Sequence, residues 1–183
     1  MANTAVINGV QWIGYYRDTT EPNNPVGPST NTWAIAFYAD NAGAPGARLF
    51  DVILPFASVS TTQLGTTSHT NIGVTVNVYR IDALIGAGFQ ALAGTTYWFS
   101  PLSQRTSTFS PFFAWMDGTG GNGTSLQAQL ATDGSVVGAP ASRSNDRAFT
   151  LSNVPEPGTL LLIGPAVIAL MTRRKVLPKR KSD

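Results

Sequence analysis

Residues Val74–Arg80 read VTVNVYR, with Val74, Val76 and Val78 on one side and Thr75, Asn77 and Tyr79 on the other. A period of two filled by β-branched and aromatic residues is the pattern of an extended strand. It recurs in Trp33–Ala39, where Trp33, Ile35 and Phe37 share one face and Ala34, Ala36 and Tyr38 the opposite one. Val6–Tyr16, Leu49–Val59, Thr95–Ser100, Phe112–Met116, Leu126–Ala131 and Ala148–Leu151 are further short extended segments. Turn formers separate them: the proline-rich Arg17–Thr30, then Asp40–Gly46, then the glycine loop Asp117–Gly123. Pro55 suggests an edge or a bulge. Ile81–Ala91 has mixed spacing, which leaves a helical turn open there. About seven to nine strands between such turns predict an all-β fold, an antiparallel β-sandwich of jelly-roll-like kind over residues 1–153.

The chain contains no cysteine, which excludes disulfides, thiolate metal sites and cysteine nucleophiles. Only 12% of its residues are charged, about half the usual share. The net charge of +2 is unevenly placed. Arg173, Arg174, Lys175, Lys179, Arg180 and Lys181 supply half of the 12 basic residues. Residues 1–158 hold 6 Arg against 9 Asp and Glu, a difference of −3. A mildly acidic body with scattered arginines offers no electrostatic footprint for nucleic acid.

Composition changes abruptly at Val154. Val154-Pro155-Glu156-Pro157-Gly158 cannot continue a strand. An unbroken apolar run follows: Leu160, Leu161, Leu162, Ile163, Gly164, Pro165, Ala166, Val167, Ile168, Ala169, Leu170 and Met171. Arg173, Arg174 and Lys175 then form a basic stop. As a helix these twelve residues would span about 18 Å. A bilayer core needs about 30 Å, so the run is short for a transmembrane helix, and Pro165 would kink it. Thr159, Thr172 and snorkelling arginines can extend its reach. The run has no polar face, unlike a helix packed at the surface of a core. The positive-inside rule puts the basic end in the cytoplasm and the body outside.

Pro155-Glu156-Pro157, an apolar helix and a terminal Arg/Lys cluster resemble the PEP-CTERM sorting signal of Gram-negative bacteria. Tails of this kind are also described as an ice-binding-protein C-terminal domain. The resemblance spans residues 154–183 and departs from the pattern at Pro165 and in the extension through Leu177-Pro178. It implies an exosortase substrate, held transiently in the inner membrane and then delivered to the cell surface or released outside the cell. In that reading Pro155, Glu156 and Pro157 are the sorting motif read by an exosortase-type membrane protease. Leu160–Met171 would be the anchor, and Arg173, Arg174 and Lys175 the stop. The body is also similar to β-sandwich domains found upstream of such tails, in its Trp33–Gly46 stretch and in Gly94-Thr95-Thr96-Tyr97-Trp98-Phe99. That likeness implies a fold and no activity. An exported chain should open on a basic and then an apolar segment. Met1-Ala2-Asn3-Thr4 leads straight into a strand-like segment, so a body truncated at its N-terminus or a mis-assigned start is expected. The alternative is a cytoplasmic body, which conflicts with the charge bias of the tail.

Enzymatic signatures are sparse. Gly118, Gly120 and Gly123 match GxGxxG, but a dinucleotide site needs a strand before it and a helix after it. A flexible hairpin loop is the simpler reading. His69 is the only histidine and sits in the polar stretch Thr66–Asn71, which reads as an exposed loop. No G-x-S-x-G elbow accompanies it. No zinc site and no cofactor are expected from one histidine without cysteine. Glu21 is the only glutamate before the sorting motif. Asp40, Asp51, Asp82, Asp117, Asp133 and Asp146 mostly fall at turn signals, where aspartate stabilises backbone turns. A calcium ion on Asp40 or Asp117 with loop carbonyls stays open, without a recognisable spacing. Trp12, Trp33, Trp98 and Trp115 are core candidates, Trp33 and Trp115 by pattern. Trp98 lies on the face opposite Tyr97 and Phe99 and is the candidate for stacking on a sugar. The expected function is a structural or adhesive component of the cell surface or extracellular matrix, not an enzyme. The alternative is a carbohydrate-binding module that takes a polysaccharide.

Overall fold

A computed structural model describes residues 4–17, 27–28, 31–69, 74–104, 112–120, 123, 125–130 and 136–153. The chain divides into two units, Met1–Asn153 and Val154–Asp183. The first is built of antiparallel strands. In chain order they are β1 (Thr4–Arg17), β2 (Thr32–Asn41), β3 (Ala44–Leu54), β4 (Val59–His69), β5 (Val74–Leu92) and β6 (Tyr97–Gln104). The shorter β7 (Phe112–Trp115), β8 (Asp117–Gly118), β9 (Ser125–Leu130), β10 (Val136–Arg143), β11 (Asp146–Arg147) and β12 (Phe149–Ser152) follow.

One sheet has the order β12-β1-β5-β4, with β7 also paired to β1; a second has the order β3-β2-β6. The pairs β9–β10 and β8–β11 stand apart. The two large sheets contribute to one core. Alternation along β1 sends Val10, Trp12 and Tyr16 inward, to meet Tyr79, Ile81, Ala83, Ile85 and Phe89 of β5. The second sheet answers with Trp33, Ile35, Phe37 and Leu54. Aromatic rings make the crossing: Trp12 meets Trp33 edge-on at 4.8 Å, and Phe37 stacks on Phe89 at 4.4 Å. Of the jelly-roll-like arrangement expected, all-β antiparallel sheets around a shared core are what the pairings show.

Several local expectations need correction. Ile81–Ala91 holds no helical turn; it lies wholly within β5. Its mixed spacing comes from a bulge. Ile7 pairs Phe89 and Gly9 pairs Leu84, so two steps on β1 match five on β5. Gly86 and Gly88 take φ of 64° and 76° there, which side chains resist. Leu49–Val59 is not one extended segment, because a 3-10 turn over Phe56–Ser58 follows Pro55 and separates β3 from β4. Within Asp40–Gly46 the turn itself is only two residues, Ala42 and Gly43, at φ of 53° and 85°. Two positive φ values in a two-residue loop make the hairpin turn that suits strand twist. Asp51 and Asp82 lie inside β3 and β5 rather than at turns. Four strands, β4, β8, β10 and β11, had no counterpart among the expected segments.

Candidate functional site

Trp98 occupies the outward face of β6. Its neighbours Tyr97 and Phe99 pack against the core, so alternation turns Trp98 the other way. It pairs with Tyr38 of β2, whose other neighbour is Arg48 of β3. The indole Nε1 donates to Asp40 Oδ1 at 2.8 Å. The second oxygen of the same carboxylate accepts from the Gly43 amide at 3.2 Å, across the hairpin turn. Asp40 is thus a clamp joining the β2–β3 turn to β6. Because the polar edge of the indole is used internally, what Trp98 offers a partner is ring surface. Burial raises the Tyr38 phenol above its ordinary pKa, with Arg48 opposing and Asp51 adding to the rise. That hydroxyl keeps its proton at neutral pH.

A second polar cluster lies where β7 and β12 share one edge of β1. The Met116 amide donates to the Ile13 carbonyl at 2.9 Å, and the Ile13 amide donates to Ala148 O at 3.1 Å. Trp115 Nε1 donates to the same Ala148 carbonyl at 2.9 Å. Beside this junction Arg147 donates to Asp117 at 2.6 Å, and Asn145 to the other Asp117 oxygen at 2.8 Å. A cleft of about 360 Å³ opens here, lined in part by Gln11, Ile13, Asp117, Arg147, Phe149 and Thr150. The side-chain partners here lie 28 to 33 positions apart in sequence and the backbone partners of Ile13 over a hundred, so no spacing signal announces the cluster.

The remaining expectations separate cleanly. Gly118 belongs to β8, and the segment after Gly123 is strand β9, so the GxGxxG match lacks the helix a dinucleotide site requires. His69 is not in a loop: its backbone closes β4, paired with Val74. The polar Thr/Ser run had hidden that strand. Asp40 and Asp117 are each engaged by neighbouring donors. Among the described residues no group of three or more His, Asp or Glu could hold a metal ion. Trp33 is buried, at 1% exposure, and Trp115 is partly buried against the core. Glu21 and Asp133 lie outside the described residues.

So do Pro155, Glu156, Pro157, Leu160–Met171 and Arg173–Lys175. No helix among the described residues is long and apolar enough to cross a membrane. What bears on the tail is sequence comparison. The family model described as the PEP-CTERM protein-sorting motif matches residues 153–175. The chain carries a PEP-CTERM sorting motif. The matched stretch runs from the residue before Val154, across Pro155-Glu156-Pro157 and the apolar run, to Lys175. A PEP-CTERM tail implies export, membrane anchoring before processing, and an exosortase as the partner that sorts the chain. No curated protein and no solved structure matches the chain.

Proposed function

We propose that residues 1–153 form a non-catalytic structural or adhesive domain of the cell surface or extracellular matrix, delivered there through its PEP-CTERM tail. The observation that carries this reading is the sorting motif at residues 153–175, directly after an all-β body. The side-chain chemistry agrees with it. Asp40 braces a hairpin, Asp82 takes Gln11 and Arg80 at 2.6 and 2.9 Å, and Asp117 takes Arg147 and Asn145. Carboxylates used this way hold backbone and neighbours in place. In the tail, Pro155, Glu156 and Pro157 are the recognition element, Leu160–Met171 the transient inner-membrane anchor, and Arg173, Arg174 and Lys175 its cytoplasmic stop. The test is a tagged chain in a bacterium that sorts such tails. Recovery of the body in the surface or matrix fraction, together with loss of cell cohesion when it is deleted, supports the proposal. A body that stays cytoplasmic refutes it.

A second reading rests on Trp98, an outward aromatic ring whose orientation is fixed by Asp40. Such a ring suits stacking against a sugar, so the surface role would then be carbohydrate binding. A glycan array separates the two. Binding to one polysaccharide, lost in Trp98→Ala with the fold intact, favours the binding module; no binding to any glycan favours the purely structural role.

A further inference from the structure

The last strand of a sheet presents unpaired amides and carbonyls, and proteins blunt such edges with proline, charge, bulges or brevity. The β3-β2-β6 sheet is blunted on both sides. β3 carries Pro45, the Arg48–Asp51 pair at 3.7 Å and two register shifts, and β6 carries Pro101. On the larger sheet, β7 and β12 are 4 residues each. The opposite edge is different. β4 is 11 residues long (VSTTQLGTTSH) and pairs with β5 along one side among the described residues. It contains no proline, lysine, arginine, aspartate or glutamate. Thr61, Thr62, Thr66 and Thr67 are β-branched and suit a strand. Its one irregularity is a bulge between Gln63 and Gly65, which leaves Leu64 unpaired and 50% exposed.

We propose that β4 is an assembly edge: a second copy of this chain adds its own β4 antiparallel to it, extending the larger sheet across a two-fold axis. Strand addition of this kind draws its attraction from main-chain hydrogen bonds. The partner is a second copy because two-fold pairing sets each stretch of a strand against the same strand. A charged side chain on β4 would then lie near its own like charge, which destabilises a pair. β4 carries none of the four charged residue types, whereas β3, with Arg48 and Asp51, does. A charged foreign strand would find no counter-ion along β4. The contact is isologous and closes as a dimer. It is independent of what ligand, if any, the body binds.

The absence of cysteine makes the edge directly testable by introduced thiols. The full chain in mild detergent is prepared with single cysteines at Ser60, Thr62, Leu64, Thr66 or Ser68. Ala47→Cys on β3 and Ser100→Cys on β6 serve as controls. Around a two-fold axis each step along β4 parts the equivalent residues by about 7 Å, so only positions beside the axis reach disulfide distance. Under mild oxidation the disulfide-linked dimer should peak at one region of β4 and fall to the control level away from it. Uniform yields at all seven positions, or none above the controls on β4, would overturn the proposal. Association through the tail is separated by the double variant Thr62→Lys/Thr66→Lys, both sites being exposed. With an unchanged circular dichroism spectrum, its sedimenting mass should drop from dimer to monomer. A dimer that persists would place the contact elsewhere and refute the assignment to β4.

Discussion

Trp12 of β1 and Trp33 of β2 meet edge-to-face with ring centroids 4.8 Å apart, each ring all but sealed from solvent, at 0% and 1% exposure. They belong to different sheets, so the pair ties the two layers at the centre of the core. Replacing either with alanine removes a large ring that its surroundings cannot fill. Trp12→Ala or Trp33→Ala should each cost about 3–5 kcal/mol. Urea unfolding of the full chain in mild detergent measures this, and a loss below about 1 kcal/mol would contradict the core described.

Gly14 marks the place where β7 closes on β1. A Cβ there would run into the Phe113 ring and the Ala114 carbonyl oxygen. The carbonyl belongs to the backbone of the paired strand and cannot move without opening the ladder. Gly14→Ala should therefore destabilise by about 1–3 kcal/mol or more. Gly43→Ala meets nothing within 4 Å and bears only the strain of its φ of 85°, about 1–2 kcal/mol. Comparing the two by denaturant titration, with hydrogen exchange at β7 as the local readout, checks the difference in cause.

The β2–β3 turn holds one residue against its preference. Ala42 sits at φ of 53°, where a side chain other than that of Asn or Gly is disfavoured. Ala42→Asn, which gives an Asn-Gly turn, should stabilise the chain by about 0.5–1 kcal/mol. An unchanged or lowered urea midpoint would count against the turn geometry.

Tyr16 is buried, and its hydroxyl has no hydrogen-bond partner among the described residues. Burial first, and then the neighbouring Tyr79, raise its pKa above the ordinary value of 10.0. The folded chain therefore keeps the phenolic proton after the unfolded chain begins to lose it. Stability from this group is intact below about pH 10 and falls as pH rises further, by up to about 1.4 kcal/mol per pH unit. Tyr16→Phe should change stability little at pH 7 and flatten the alkaline slope. Burial also raises Tyr15 and Tyr38, so part of the slope should remain. A Tyr16→Phe variant with the wild-type slope would show that Tyr16 does not carry it.

How much of this was legible in the sequence follows from what each strand buries. Trp33, Ile35 and Phe37 alternate against one core, so β2 announces itself, and so does the outward position of Trp98 opposite Tyr97 and Phe99. β5 is only half legible. Its inward alternation runs through Tyr79, Ile81, Ala83 and Ile85 and is then broken by the Gly86–Gly88 bulge, which inserts residues that a fixed period cannot accommodate. β4 is hidden because an edge strand exposed along most of its length can be built from Thr, Ser and Gln, the residues that also make loops. The junction around Asp117, Asn145 and Arg147 leaves no pattern, since pairing brings its members together from distant parts of the chain. The tail is the reverse case: proline, apolar run and cations follow one another directly, and their order alone identifies the sorting motif.

The most direct test of the account follows the tail through processing. The full chain is pulse-labelled in a bacterium that sorts PEP-CTERM proteins, beside a variant lacking Leu160–Lys181, and both are fractionated over time. The intact chain should appear first in the inner membrane with its tail and later outside the cell without Leu160–Met171, while the deletion variant should never be held in the membrane. Identical membrane retention of both chains, or an extracellular product that keeps Leu160–Met171, would contradict it.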